Sequence, residues 1–152
     1  MDNHGERRFR LPPSELFARL SNAQWLVSTL TQVQVLRASP DEAAWSMRPA
    51  LAFMSGSIEN TLTIIERQPV STIRLHIHTK GIGATATAEI RLELLPVEEG
   101  TLVHWTLTIP QMTGLLKLAP KGLLQATAGK VVDEVWSHVE AALSKESATP
   151  SQ

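Results

Sequence analysis

From residue 31 to residue 109 the chain alternates apolar and polar residues with a period of two. The alternation is clearest in three runs, which cover residues 72–78, 84–94 and 102–109. Successive side chains of a β-strand point to opposite faces of a sheet, so each run sorts into one apolar and one polar face. With the weaker runs included, the pattern predicts about seven strands in an antiparallel sheet whose polar face meets water.

Two short helices are predicted near the start of the chain. Residues 5–11 alternate weakly and predict an opening strand, and the following Pro-Pro-Ser-Glu at 12–15 favours a helix start, because proline suits the first helical turn. Apolar residues then recur at helical spacing: Leu16, Phe17 and Leu20. A second short helix is expected from Asn22 to Leu26, which brings Trp25 inward.

The chain closes with a long segment, Gly114 to Leu143, whose apolar residues repeat with the period of an α-helix. Pro120 cannot lie deep inside an uninterrupted helix, so we expect a short leading turn at 114–119 and the main helix from about residue 121. The predicted apolar stripe consists of Leu124, Ala128, Val131, Val135, Val139 and Ala142, widened by Trp136 and Leu143. Residues 146–152 are mostly small and polar, so we expect them to form a disordered tail.

Composition narrows the class of protein. The chain has 152 residues, 43% of them hydrophobic and 19% charged, which is typical of one globular domain, here residues 1–145. Its formal net charge of -1 lacks the basic excess of nucleic-acid-binding proteins, so we expect no nucleic-acid partner. The absence of cysteine excludes disulfides, thiolate metal sites and a cysteine nucleophile. There is no run of about 18 apolar residues and no secretory signal, so we expect a cytoplasmic protein without an integral membrane segment.

Histidines supply the strongest hint of chemistry. His76 and His78 lie on one face of a predicted strand, a spacing compatible with metal binding. A third ligand is hard to find, because His104 shares the polar face but a strand two places away is about 9.5 Å distant. Motifs for a nucleophile elbow, a phosphate-binding glycine loop and a zinc protease are absent as well. We therefore expect a solvated polar face, no metal, no cofactor and no catalytic residue.

Small side chains predict a cavity between the sheet and the closing helix. The apolar face of the 84–94 run begins with Ala84, Ala86 and Ala88, and the first half of the helix contains Ala-Thr-Ala-Gly at 126–129. A cleft lined by apolar residues is the usual place for a small-molecule ligand. The alternative is a tightly packed core in which the space is filled by Trp45, Met47, Phe53 and Trp105.

The face assignments define a candidate ligand-binding site. Asn60 shares the apolar face of its strand, where it would either hold a polar group of the ligand or satisfy a backbone group. The candidate ligand-binding residues are Trp45, Met47, Ile58, Asn60, Leu62, Ile77, Ala86, Ala88, Trp105, Leu123 and Thr127.

Two motifs and the glycine-bearing closing helix carry a family resemblance. Residues 12–20, Pro-Pro-Ser-Glu-Leu-Phe-Ala-Arg-Leu, and residues 100–105, Gly-Thr-Leu-Val-His-Trp, are similar to segments of the carbon monoxide dehydrogenase G-subunit group. That group belongs to the START-like SRPBCC superfamily, which also includes lipid-transfer domains and polyketide cyclases. Where the group usually has Ile-Pro-Gly, this chain has Leu30-Thr31-Gln32.

The resemblance implies an α+β helix-grip fold. In that fold a seven-stranded antiparallel sheet wraps around a long C-terminal helix, two short helices follow the first strand, and a hydrophobic ligand lies between sheet and helix. We therefore expect a non-catalytic carrier of a lipid-, quinone- or polyketide-like molecule. One alternative is an accessory protein that assists assembly or membrane recruitment of a molybdenum hydroxylase. A cyclase or hydratase is the third interpretation, and it requires an inward-facing ionisable group.

Overall fold

The computed structural model describes residues 2–48, 56–81, 83–114, 117 and 120–148. The order of elements is the one expected for a helix-grip fold, with two short helices after the first strand and one long helix at the end. The elements are β1 (Asp2–Phe9), α1 (Pro13–Leu20), α2 (Ala23–Ser28), β2 (Gln34–Ala38), β3 (Glu42–Met47), β4 (Ile58–Gln68), β5 (Thr72–Gly81), β6 (Ala84–Val97), β7 (Gly100–Gly114) and α3 (Lys121–Ala148).

The strands form one antiparallel sheet in the order β1-β7-β6-β5-β4-β3-β2. From β2 to β7, strands that follow one another along the chain are neighbours, whereas β1 pairs with β7 and lies at the opposite edge of the sheet from β2. The register shifts at three places, between Val35 and Arg37, between Ile64 and Glu66, and between Thr87 and Glu89. Such bulges bend and twist a sheet, which allows it to curve around a helix. The predicted fold class is confirmed.

Cross-strand pairing defines an inner face, which carries the buried residues Ile73, Leu75 and Leu92. These residues pack with Leu16 and Leu20 of α1 and with Val27 of α2 in one buried cluster. The opposite, outer face carries the polar half of each alternating run. The sequence periodicity therefore predicted the two faces of the central strands correctly.

The second half of α3 is held against the sheet by apolar contacts and by ion pairs. Trp136, Val139 and Leu143 are buried, and the Trp136 ring lies 5.8 Å from the ring of Phe9. Arg7, on the inner face of β1, pairs with Asp133 at 3.1 Å and with Glu140 at 3.5 Å. These contacts fix the rotation of the helix.

That rotation corrects the predicted stripe of α3. Val131 and Val135 are 38% and 39% exposed, whereas Trp136 and Leu143, expected only to widen the stripe, lie at its centre. The reason is steric and electrostatic. The large Trp136 ring needs the contact with Phe9, and the carboxylates of Asp133 and Glu140 must reach Arg7. In the helix orientation that allows both contacts, Val131 and Val135 lie beside the buried face and remain partly exposed.

The predicted ends of α3 are partly right. The helix begins at Lys121 as expected, but it continues to Ala148, so residues 146–148 do not belong to a disordered tail. Glu146 accepts a hydrogen bond from Arg19 at 3.1 Å, which connects the last turns of α3 to α1. Residues 149–152 and most of the predicted turn at 114–119 lie outside the described residues. Of the helices described, none is long and apolar enough to cross a membrane.

Candidate functional site

An apolar recess lies on the inner face of the central strands. Ile77, Ala86, Ala88 and Ile90 belong to β5 and β6, in the middle of the sheet, yet each of them is only half-buried. Further along the same strands Ile73 and Leu92 are buried. The inner face is therefore closed around Ile73 and Leu92 and partly open around these four half-buried residues.

The first half of α3 carries a group of small side chains that are only partly buried. Thr127, Ala128 and Gly129 are half-buried. Gly129 precedes the buried Trp136 by two helical turns and so shares its face. A Cβ atom added at Gly129 would meet no atom within 4 Å in the described part of the structure. Among the described residues there is therefore open space beside Gly129, on the helix face that also carries Trp136.

A row of polar side chains crosses the inner face beside the recess. Strand register places Trp45, Asn60 and Thr79 opposite one another, followed by Ala86. Thr79 Oγ1 donates a hydrogen bond to Asn60 Oδ1 at 2.6 Å, and Asn60 is 6% exposed. The Asn60 carbonyl therefore binds a neighbouring side chain. Trp45 is equally buried, but its Nε1 has no hydrogen-bond partner among the described residues.

A second tryptophan lies on the inner face of β7. The Trp105 ring covers Gly5 of β1 so closely that a Cβ atom at residue 5 would approach ring atom Cζ2 to 2.7 Å. Its Nε1, like the Nδ2 of Asn3 on β1, is buried without a partner in the described structure. Sequence reasoning missed Asn3, because the alternation predicts an opening strand that begins only at residue 5. Gly5 could have signalled the close approach, since a glycine inside a strand often marks one.

Most of the predicted site residues share one surface. By strand register, the inner face carries Trp45, Met47, Ile58, Asn60, Leu62, Ile77, Ala86, Ala88 and Trp105. Thr127 is half-buried on α3. Trp105 lies in the buried row of Leu92 and Ile73, and Leu123 is 45% exposed, so neither belongs to the recess. Phe53, which the packed-core alternative needs to fill the space, lies outside the described residues. Sequence reasoning missed Thr79 and Met112, which lies opposite Ala86, and it named Gly129 only as one of the small side chains that predict a cavity.

The outer face holds the histidines that suggested metal or acid–base chemistry. His76 Nε2 lies 3.4 Å from Glu89, and His104 Nε2 lies 3.2 Å from Glu6. In the described part of the chain, no group of three or more histidine, aspartate or glutamate side chains is arranged to hold a metal ion. Neither His76 nor His104 faces the recess, so the condition set for a cyclase or hydratase is not met by these residues.

The chain is similar to a known protein family and to several solved structures. The family model of the carbon monoxide dehydrogenase G subunit (CoxG) matches residues 5–144. A conserved protein from Geobacillus kaustophilus has a similar structure, with a TM-score of 0.81, 14% identity, and coverage of 95% of this chain and 96% of that one. A START superfamily protein from Mycobacterium smegmatis has a TM-score of 0.66 at 11% identity, with 95% and 97% covered.

A protein from Thermus thermophilus also has a TM-score of 0.66, at 17% identity, with 97% of this chain and 100% of that chain covered. No functionally curated protein matches the sequence significantly. At these identities the solved structures show the fold alone, which is START-like.

Proposed function

Because the chain belongs to the CoxG family, we propose that it is a non-catalytic carrier of a hydrophobic small molecule. The molecule is lipid-, quinone- or polyketide-like and lies between the inner face of the sheet and the first half of α3. The proposal includes the cytoplasmic location expected from the sequence. It assigns the protein a binding role and no chemical step.

The observation that carries the proposal is the open apolar space at Gly129. Apolar side chains of β5 and β6 on the inner face are only half-buried, whereas a filled core would bury them. Apolar burial contributes about 25 cal/mol per Å², so covering about 400 Å² of a ligand contributes about 10 kcal/mol before the costs of association. Association costs at least about 4 kcal/mol, so at most about 6 kcal/mol remains, which corresponds to a dissociation constant of tens of micromolar without any charged contact.

Native mass spectrometry of the freshly purified protein tests the proposal directly. The native mass is compared with the denatured mass, and whatever separates is extracted into organic solvent and identified. We expect a reproducible adduct of a few hundred daltons with an apolar skeleton. A protein that is free of adducts from its own host, and that takes up no apolar fluorescent probe, would contradict the carrier role.

The family description supports a second candidate. The name of the CoxG family associates it with carbon monoxide dehydrogenase, and an accessory protein that assists assembly or membrane recruitment of a molybdenum hydroxylase fits that name. The test is co-purification of the tagged chain with such an enzyme from its own host. A recess-filling variant such as Ala88→Phe separates the two candidates, because it should abolish ligand uptake and leave the accessory contact intact.

A further inference from the structure

Buried hydrogen-bond donors without acceptors lie on the inner face. In the described part of the chain, four buried side-chain atoms lack a partner: Asn3 Nδ2, Trp45 Nε1, Trp105 Nε1 and His138 Nδ1. The indole N–H and the amide NH₂ only donate, whereas the imidazole nitrogen takes either role. A buried indole N–H usually finds an acceptor, because leaving it without one costs about 1–3 kcal/mol.

Of these donors, Trp45 borders the recess. Its row on the inner face contains Asn60 and Thr79 and continues to the half-buried Ala86 and Met112. The Asn60 carbonyl accepts a hydrogen bond from Thr79 and makes none with the indole of Trp45. Trp45 itself is 6% exposed, which leaves bulk water little access to its ring.

Trp105 has a different environment, which makes it a useful contrast. Its row contains Gly5, Leu92 and Ile73, and the latter two are buried. Its ring is pressed against the backbone of β1 at Gly5. The Trp105 row therefore belongs to the closed end of the inner face, whereas the Trp45 row runs from the buried Trp45 and Asn60 to the half-buried Ala86 and Met112.

Both arginines on the inner face are already paired. Arg7 contacts Asp133 and Glu140. Arg67, opposite Ile73, contacts Asp41 at 2.8 Å and donates to the carbonyls of Ser21 and Pro40. A buried carboxylate without a counter-charge is costly, and the described inner face offers no arginine or lysine that is still unmatched. An uncharged ligand fits this surface better than a fatty-acid anion.

We infer that Trp45 Nε1 donates a hydrogen bond to a carbonyl-type oxygen of an uncharged apolar ligand bound in the recess. The inference rests on the proposed carrier function and deepens it by naming the ligand class: neutral molecules that carry a ketone, ester or similar acceptor oxygen. The hydrogen bond gives such a ligand a fixed orientation, and apolar contact supplies most of its affinity.

Three naphthalene probes of matched shape test the inference by calorimetry. Acetylnaphthalene carries a carbonyl group, isopropenylnaphthalene replaces that oxygen with CH₂, and naphthoate carries a charge. The measured quantity is the affinity ratio of the ketone to the alkene, in the wild type and in Trp45→Phe. Taking the ratio in both proteins cancels the different hydration of the probes. We expect the ratio to fall about fivefold in Trp45→Phe, the effect of losing one hydrogen bond.

Trp105→Phe is the matched control, because it removes the same N–H from the closed end and should leave the ratio unchanged. An equal ratio in the wild type and Trp45→Phe would overturn the donor role, and the carrier function would stand. This is the result expected if a bound water accepts the indole hydrogen bond. Naphthoate binding more tightly than the ketone would overturn the uncharged class. Failure of all three probes to bind the wild type would count against the carrier function itself.

A spectroscopic readout on the wild type covers the case in which Trp45→Phe does not fold. The carbonyl stretch of bound acetylnaphthalene should move to lower frequency than in hydrocarbon solvent, and one indole N–H proton resonance should shift on titration with the ketone but not with the alkene. An unshifted carbonyl stretch, with the ketone bound, would contradict the hydrogen bond.

Discussion

At the scale of single residues, Gln32 lies in a backbone conformation that side chains disfavour. Its φ is 60°, in the left-handed region that glycine enters without steric cost. The family resemblance implies Ile-Pro-Gly where this chain has Leu30-Thr31-Gln32, so glutamine occupies a conformation that suits glycine. Val70, in the turn between β4 and β5, has a φ of 68° and is a second strained position.

We predict that Gln32→Gly stabilises the protein by about 0.5–1 kcal/mol. Relief of the left-handed strain, about 1–2 kcal/mol, is partly offset by the greater freedom of glycine in the unfolded chain. Thermal or urea unfolding measures the change, which corresponds to a rise of about 1–4 °C in the melting temperature. Gln34→Gly is the control, because Gln34 is an exposed residue of β2 without a positive φ, and there glycine should destabilise. Equal effects at both positions would refute the strain argument.

At the scale of the elements, β6 combines a wall of the recess with an ordinary solvent-facing surface. Ala88 lies on the inner face beside the open space, and the adjacent Thr87 lies on the outer face, 3.2 Å from the imidazole of His78. One strand therefore offers two neighbouring positions with opposite environments.

We predict that Ala88→Phe leaves the fold intact and abolishes uptake of an apolar fluorescent probe. The added ring occupies space that the ligand otherwise fills, so it does not overpack a closed core. Probe titration and circular dichroism measure the two effects. Thr87→Phe places the same ring on the outer face and should retain probe binding. A folded Ala88→Phe protein with unchanged probe affinity would show that the recess is not the binding site.

The elements also show how far sequence reasoning reaches. Alternation is strictly local, so it placed Ile77, Ala88 and Trp105 on the correct face of their strands. The rotation of α3 depends on which partners its side chains meet in space, so the sequence misjudged Val131 and Val135. The sequence also could not show that the Trp45 indole lacks a partner. That depends on which residues lie across the strands from it, namely Asn60, whose side chain is bonded to Thr79.

At the scale of the whole molecule, the two halves of α3 are held unequally. The second half buries Trp136, Val139 and Leu143, and Glu140 and Glu146 pair with arginines of β1 and α1. The first half faces the open space, and there only Leu124 is buried among residues 121–131. A segment with few buried contacts opens locally at a lower free energy than the rest of the fold.

We predict that hydrogen exchange is faster at residues 125–131 than at residues 136–143 in the ligand-free protein, and that ligand binding slows it in the first group. A ligand that binds the closed form stabilises it by RT ln(1 + [L]/Kd), which is about 2.7 kcal/mol at a hundredfold excess over Kd, or about a hundredfold lower exchange rate. Mass spectrometry of exchanged, digested protein locates the change. Ala88→Phe, treated with the same ligand, should show no protection. Protection confined to the second half of α3, or spread evenly over the chain, would place the ligand elsewhere. Only a ligand in the recess contacts residues 125–131 and so slows the local opening of that segment.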